Sequence, residues 1–275
     1  MNLSQLLSFA VAQLKNAGIP TANREAVWLL EHVLNKKIID LNFSVSDSHK
    51  KSFLDLVDKR SQRFPLQYLI GKTTFFDAEI LLDDNVLIPR HETEELVELA
   101  LEFLKNSSNE ILCADLGTGS GCIPVALAKK IDNSSWFACD KSEKALNLAI
   151  KNAEINAVSD KINFFISNWF SDFPKNLNFN FIISNPPYIK NNFTLQNELE
   201  YEPPSALFSG EDGLDDYRII LSNLRYFLKK NGVFLGEFGD GQTNQLIDIV
   251  KKNNFKDYEI LKDLSGKDRF IKIHF

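Results

Sequence analysis

The chain has 275 residues, 44% of them hydrophobic and 25% charged, a balance that fits a globular protein with a substantial core and excludes a disordered or fibrous one. Acidic residues outnumber basic ones, 37 to 31, for a net charge of −6, which argues against a chain that draws its affinity from nucleic-acid phosphates. The three cysteines lack metal-ligand spacing, the four histidines are scattered, no secretory signal opens the chain, and no run approaches the roughly 18 apolar residues of a membrane span; a cytoplasmic protein with buried thiols, no metal and no membrane partner is expected.

Leu3, Leu6, Leu7, Ala10, Val11 and Leu14 recur at helical spacing until Gly18-Ile19-Pro20 breaks the pattern. Thr21 is the expected cap of a second helix carrying Ala26, Leu29, Leu30, Val33 and Leu34. A third helix is predicted from Ser48 to about Arg63, ended by Pro65. Residues 1–72 thus read as a small helical bundle without a titratable constellation, suited to recognition rather than catalysis. Over residues 73–90 the pattern predicts a β-hairpin linker, with strands Thr73–Phe76 and Val86–Ile88 around an Asp83-Asp84-Asn85 turn.

From residue 91 to 275 helix and strand patterns alternate. Helices are predicted over Thr93–Lys105, after Gly121, over Glu143 to about Asn156 and over about Tyr217–Lys229. Strands are predicted at Ile111–Ala114, Trp136–Cys139, Ile162–Ile166, Phe179–Ser184, Gly232–Gly236 and Arg269–His274. Such alternation builds an α/β fold, a mostly parallel sheet with helices on both faces, here with room for an antiparallel edge among the last strands.

Asp115-Leu116-Gly117-Thr118-Gly119-Ser120-Gly121 falls at the turn between the first strand of this sheet and its helix, at the edge where such sheets bind ligands. Its glycines let the backbone run close beneath a ligand. A dinucleotide fingerprint would want Gly or Ala where this chain has Cys122. Taken alone, the turn is open to three readings: a methyl-donor site, a dinucleotide site or a structural turn. Asp140, ending the next strand, is placed to accept hydrogen bonds from both ribose hydroxyls of a nucleoside; the alternative is a cap for the helix starting near Ser142.

Asn185-Pro186-Pro187-Tyr188 follows the apolar Phe181-Ile182-Ile183 and so leaves the sheet at the same edge. An amide or exocyclic amine nitrogen is a poor nucleophile because its lone pair is delocalised. It becomes reactive when two acceptors hold both hydrogens and aim the lone pair at an electrophile. The Asn185 oxygen and the Pro186 backbone carbonyl are candidates for those acceptors, the consecutive prolines fix that carbonyl, and Tyr188 offers a flat face to a planar group. The alternative is a rigid loop with an Asn turn. A sulfonium methyl is already a strong electrophile, so this chemistry asks the protein for positioning and not for a nucleophile or a metal.

Together these residues resemble the protein-(glutamine-N5) methyltransferases of peptide chain release factors, the HemK/PrmC family. Arg63-Phe64-Pro65-Leu66-Gln67-Tyr68-Leu69-Ile70-Gly71 is similar to the end of that family's helical domain, and Val86-Leu87-Ile88-Pro89-Arg90-His91-Glu92-Thr93-Glu94 to the start of its catalytic domain. Asp115 to Gly121, Asn168-Trp169-Phe170, Asn185 to Ile189, and Tyr201-Glu202-Pro203 with Ala206-Leu207 follow in family order. The tetrad alone is shared with amino-methyltransferases of DNA and ribosomal RNA.

The resemblance implies a Rossmann-like class I methyltransferase domain with a seven-stranded sheet and an N-terminal helical bundle joined to it by a hairpin. It implies S-adenosyl-L-methionine as donor and S-adenosyl-L-homocysteine as product, contacted by Gly117, Thr118, Gly119, Ser120, Gly121, Asp140, Trp169 and Asn185. It implies Asn185, Pro186, Pro187 and Tyr188 as the grip on the glutamine of a release factor's Gly-Gly-Gln loop, with the N-terminal helices on a second surface of that factor. Without the family, Trp169 could equally be an ordinary core aromatic. His91 and Asn168 depart from the family's usual Pro and Asp.

Two rivals remain: methylation of a nucleic-acid base (DNA adenine or rRNA guanine), which needs a presented base and a basic groove, and a non-catalytic nucleotide-binding scaffold. The acidic balance weighs against the first, the intact tetrad against the second. A nicotinamide dehydrogenase is disfavoured further by Cys122 and the lack of a candidate proton donor. Nothing in the sequence points to an obligate assembly, so a monomer without direct nucleic-acid contact is expected.

Overall fold

The computed structural model describes residues 2–39, 44–105, 109–195 and 197–275. The chain forms two compact units, Met1–Lys72 with Leu195–Tyr201, and Thr73–Thr194 with Glu202–Phe275.

The first unit holds α1 (Leu3–Asn16), α2 (Ala22–Leu34), α3 (Asp47–Ser61) and the short α4 (Leu66–Ile70). Asn2 and Gln5 close a reciprocal capping box at the start of α1. Leu6, Ala10 and Leu14 of α1, Ala26, Leu29 and Leu30 of α2, and Phe53 and Val57 of α3 share one buried cluster, as the helical periodicity predicts. Two ends differ from expectation. Ser46, not Ser48, opens α3, because its hydroxyl accepts from the His49 N–H. Thr21 stands at the N-cap of α2 but makes no side-chain cap; its hydroxyl donates to Glu25 Oε1 at 2.6 Å.

Glu25 meets Arg60 at 2.5 Å, both almost wholly buried, and Arg60 and Arg63 also hold Glu198 at 2.8 and 3.0 Å. Tyr201 adds an edge contact with the Phe64 ring and a hydrogen bond to the Gln62 carbonyl. These contacts bind the late segment 195–201 to the helical unit, across more than 130 residues of chain, as seen in the Arg63–Glu198 pair.

The second unit begins with a two-stranded sheet of β1 (Lys72–Phe75) and β2 (Ala78–Leu81). The predicted hairpin is thus corrected in its second half: the chain reverses at Phe76 and Asp77, with Phe76 at a φ of 56°, and Val86–Ile88 is not a strand. The Asp83–Asn85 turn does form, Asp83 Oδ1 accepting from the Asn85 N–H, but an earlier two-residue reversal has already paired the strands.

The main sheet runs in the order β5-β4-β3-β6-β7-β9-β8, from β3 (Ile111–Leu116), β4 (Ser134–Asp140), β5 (Ile162–Ile166), β6 (Phe179–Ser184), β7 (Leu228–Glu237), β8 (Asp257–Lys262) and β9 (Asp268–His274). β3 to β7 pair in parallel, while β9 is antiparallel to both β7 and β8. Helices α5 (His91–Leu104), α6 (Cys122–Lys130), α7 (Glu143–Ile155), α8 (Asp215–Phe227) and α9 (Thr243–Lys252) accompany it. This is the expected seven-stranded, mostly parallel Rossmann-like sheet with an antiparallel strand near one edge. Strand order reverses between β3 and β6, which flank each other although β4 and β5 lie between them in sequence, and α/β sheets bind ligands at such a switch point.

α9 and β8 are elements that the sequence pattern did not single out. The residue before α9, Gln242, gives no side-chain cap; its carboxamide accepts from Gly239 N–H and donates to the carbonyls of Tyr188 and Asp212. β8 is an edge strand with no residue in the fully buried class, so its apolar periodicity is weak.

Candidate active site

Parallel register brings four strand ends together. Leu116 pairs with Cys139 and with Ser184, and Ser184 pairs with Gly236. The next residue on each strand is therefore, in order across the sheet, Asp140, Gly117, Asn185 and Glu237. A cleft opens at this edge, walled on one side by the glycine turn and on the other by Asn185 and Pro187. Of the residues singled out by sequence, Gly117, Thr118, Gly119, Ser120, Asp140, Trp169, Asn185 and Pro187 line it.

Gly121, Pro186 and Tyr188 do not line that cleft. Gly121, at a φ of 76°, turns the chain into α6, and a Cβ there would sit 2.9 Å from that of Ala149; its absence is a packing requirement between α6 and α7. Pro186 is buried, and its carbonyl accepts from no described residue. Tyr188 is half-buried, its hydroxyl donating to Glu237 Oε1 at 3.2 Å, while Gln242 holds its carbonyl at 2.9 Å.

Several restraints shape the donor side of the cleft. Asp140 Oδ2 accepts from the Gly119 N–H at 2.9 Å and Oδ1 from the Ser142 N–H at 2.8 Å. Asp140 is thus not the cap of α7, whose N-cap is Ser142, but holds the N–H of that cap residue. Each carboxylate oxygen keeps a second lone pair that a ribose hydroxyl could use. Ser142 itself caps α7 by accepting from Ala145. Asn152, fully buried on α7, donates to the carbonyls of Ser120 and Leu81 and so ties the glycine turn to β2. Trp169 packs its ring under Gly117, where a Cβ would come within 3.0 Å of it, and its indole N–H donates to Asp216. Its φ of 56° is unusual for a bulky residue and holds the ring at the cleft wall.

Beneath the turn, Asp115 is fully buried and neither carboxylate oxygen has a hydrogen-bond partner; the buried Thr118 hydroxyl is likewise unpartnered. Burial pushes the Asp115 carboxyl up to about 7; the nearby Thr118 hydroxyl, though outside hydrogen-bond geometry, pulls it down, and Asp140 pushes it up. The folded pKa thus lies above the ordinary carboxylate value of about 3.9. Stability from this group is present below about pH 4 and is lost as pH rises through about 7. In urea melts of the ligand-free protein, wild type is expected to lose on the order of 3 kcal/mol relative to Asp115→Asn between about pH 4.5 and about pH 8. Parallel pH curves for the two proteins would refute it.

On the acceptor side, Asn185 Nδ2 donates to Thr93 Oγ1 at 2.9 Å, and Thr93 donates to Glu237 Oε2 at 2.8 Å. Burial pushes the fully buried Glu237 carboxyl up to about 7. Burial, followed by the Glu237 charge, raises Tyr188 above the usual phenol range, so its hydroxyl stays protonated and remains a donor. Among the described residues, none donates to Asn185 Oδ1. Glu202, buried, holds Arg90 and the Ile88 N–H, fixing the loop that carries Pro89 into the cleft wall. Sequence reasoning did not single out Glu237, Thr93 or Asp115 as site residues. Asp115 and Glu237 each had a legible signal, a carboxylate at the carboxyl end of an apolar strand. Among the described residues, no cluster of metal-ligand side chains occurs, and no helix is long and apolar enough to cross a membrane.

Comparison with known proteins agrees with this geometry. Residues 5–71 match the family model of the PrmC N-terminal domain, and residues 93–201 that of the methyltransferase small domain. The release factor glutamine methyltransferase of Thermodesulfovibrio yellowstonii is 38% identical over 257 residues, covering 90% of this chain and 91% of that one. The chain belongs to the release factor glutamine methyltransferase family.

A bifunctional methyltransferase of Rickettsia prowazekii is 35% identical over 296 residues, covering 99% of this chain but 57% of its own length, so the chain spans little more than half of that relative. In fold, the chain is similar to the catalytic domain of hMettl16, solved in complex with the MAT2A 3′UTR hairpin 6, with a TM-score of 0.56 at 17% identity over 86% of each chain. Of the two departures from the family's usual residues, His91 is exposed in the first turn of α5 beside Glu94, and Asn168 lines the cleft.

Proposed function

We propose that this chain transfers a methyl group from S-adenosyl-L-methionine to the side-chain amide nitrogen of the glutamine in the Gly-Gly-Gln loop of peptide chain release factors, releasing S-adenosyl-L-homocysteine. The observation that carries the proposal is the register of β3 and β6, which sets Asn185, with an uncommitted side-chain oxygen, beside the glycine turn in one cleft.

The residues present fit the donor. Asp115 and Thr118 offer buried polar atoms without partners, which the donor's cationic groups and polar atoms would satisfy, and Gly117 leaves space over Trp169 that a Cβ would fill. Asp140 would take the ribose hydroxyls, and the turn from Gly117 to Ser120 would run beneath the nucleoside. When bound, the donor supplies a methyl on a sulfonium, an electrophile strong enough to need no nucleophile from the protein.

The protein's task is then orientation. Asn185 Oδ1 and the Pro186 carbonyl would accept the two N–H bonds of the substrate carboxamide and direct its lone pair into the cleft. Pro187 would close one wall, and Tyr188, held by Glu237 and Gln242, keeps the loop from turning. The nitrogen becomes acidic on methylation, so its proton leaves afterwards and no strong base is needed before attack. The helical unit, whose charged groups Glu25, Arg60, Arg63 and Glu198 pair with one another, would bind a second surface of the release factor. Three free, buried cysteines fit a reducing cytoplasm. The acidic net charge weighs against direct nucleic-acid contact, and the chain is proposed to act as a monomer.

The test supplies labelled methyl donor with a release factor, DNA and ribosomal RNA in parallel. Label is expected in the Gly-Gly-Gln glutamine alone. Label in either nucleic acid, with none in the factor, would replace this reading with base methylation.

A further inference from the structure

The chain Asn185–Thr93–Glu237 does more than join three side chains. A threonine hydroxyl carries one proton. Thr93 gives that proton to Glu237 Oε2, so its oxygen is left with lone pairs only and can do nothing but accept from Asn185. Asn185 must therefore turn its NH₂ group to Thr93. Its carbonyl oxygen, on the opposite side of the same planar group, is left over as an acceptor. Had the carboxamide been reversed, an N–H would meet the substrate's own N–H, and the grip would fail.

We propose that Thr93 and Glu237 are positioning residues that fix the polarity of the Asn185 carboxamide, so that Oδ1 is presented to the substrate nitrogen. The inference rests on the proposed amide methylation and adds the means by which its acceptor is set. Both residues are buried, Thr93 at 3% exposure at the cleft wall and Glu237 at 0% behind it. Tyr188 donates to the other oxygen, Oε1, so each oxygen of the ionised carboxylate accepts one hydrogen bond.

A protonated Glu237 would lift the compulsion. Its own proton could go to Thr93, whose hydroxyl would then be free to donate to Asn185 and reverse it. The groups facing Glu237 are Thr93 and Glu92 from α5, Tyr188 from the loop after β6, Tyr217 from α8 and Arg269 from β9. Arg269 and the donors Thr93 and Tyr188 favour the charged form, burial and Glu92 oppose it, and Tyr217 donates to the Glu237 backbone carbonyl at 2.6 Å. With burial dominant, the carboxyl titrates near 7, inside the range where the enzyme can be assayed.

The experiment measures kcat and KM on a Gly-Gly-Gln peptide or intact release factor for wild type, Thr93→Val, Thr93→Ser, Glu237→Gln and Asn185→Ala, with thermal melts as a folding control. Thr93→Val is expected to lower kcat about 30-fold, with donor KM changed by less than about threefold, and Thr93→Ser to stay within about threefold of wild type. Wild-type kcat should fall on the acid side with a single ionisation near 7, and Glu237→Gln should be about tenfold slower and lose that limb. A purely structural role for Glu237 would leave the shape of the profile unchanged. The proposal is overturned if Thr93→Val and Glu237→Gln fold and keep kcat within about twofold while Asn185→Ala is inactive. A wild type inactive on the peptide and the factor alike would bring down the functional reading itself, and this inference with it.

Discussion

Replacing Asn185 with alanine is expected to slow methyl transfer to the Gly-Gly-Gln glutamine by about 10² to 10³-fold, the scale of losing one preorganised hydrogen-bonding group at a reacting centre. The magnitude follows from what the side chain offers. Asn185 Oδ1 has no donor among the described residues, while its Nδ2 is anchored on Thr93, so the free oxygen is held ready before substrate arrives. Its loss leaves the Pro186 carbonyl as a single acceptor, and the substrate carboxamide can then rotate about that one bond. Donor affinity should change by less than about fivefold, because the glycine turn, Asp140 and Trp169 are untouched. Single-turnover assays and calorimetry separate the two effects. Transfer within about tenfold of wild type would show that the tetrad does not grip the nitrogen.

The strands and helices of the sheet were legible because each is long and periodic. Phe179–Ser184 and Ile162–Ile166 are found with the predicted bounds, and the antiparallel partner of β7 is Asp268–His274. The glycine turn and the tetrad were legible as motifs because the residue types themselves restrict the backbone. What joins them was less so. That Asn185 and Gly117 are neighbours follows from the pairing of Leu116 with Ser184, a contact 68 residues apart that no local pattern encodes. The hairpin shows the limit of turn chemistry: Asp83–Asn85 has the stronger turn composition, yet the strands close at Phe76-Asp77, which carries no glycine or asparagine. Glu237 escaped notice for a related reason. A glutamate at the end of an apolar strand marks a candidate site but does not name its task; only the buried partners Thr93 and Tyr188 give it a role. In the helical unit, the Arg60–Glu198 pair is similarly non-local, and with it the attachment of segment 195–201.

Asp140→Ala is expected to weaken donor binding about 100-fold, or about 2.7 kcal/mol, measured by calorimetry with S-adenosylhomocysteine. Two losses combine in that figure. The carboxylate holds the Gly119 and Ser142 N–H groups, so its removal loosens the turn, and the proposed contact with the ribose hydroxyls disappears as well. A ligand cycle separates them. Deoxygenating the ribose of the ligand should weaken binding to wild type by about tenfold or more, yet have little effect on Asp140→Ala, because the partner of those hydroxyls is already gone. If the carboxylate acts only by holding the turn, deoxygenation will weaken both proteins equally, and the ribose role falls while the turn-holding role stands. Unchanged affinity in the alanine variant would remove both, since the hydrogen bonds at 2.9 and 2.8 Å would then contribute nothing to the shape of the site.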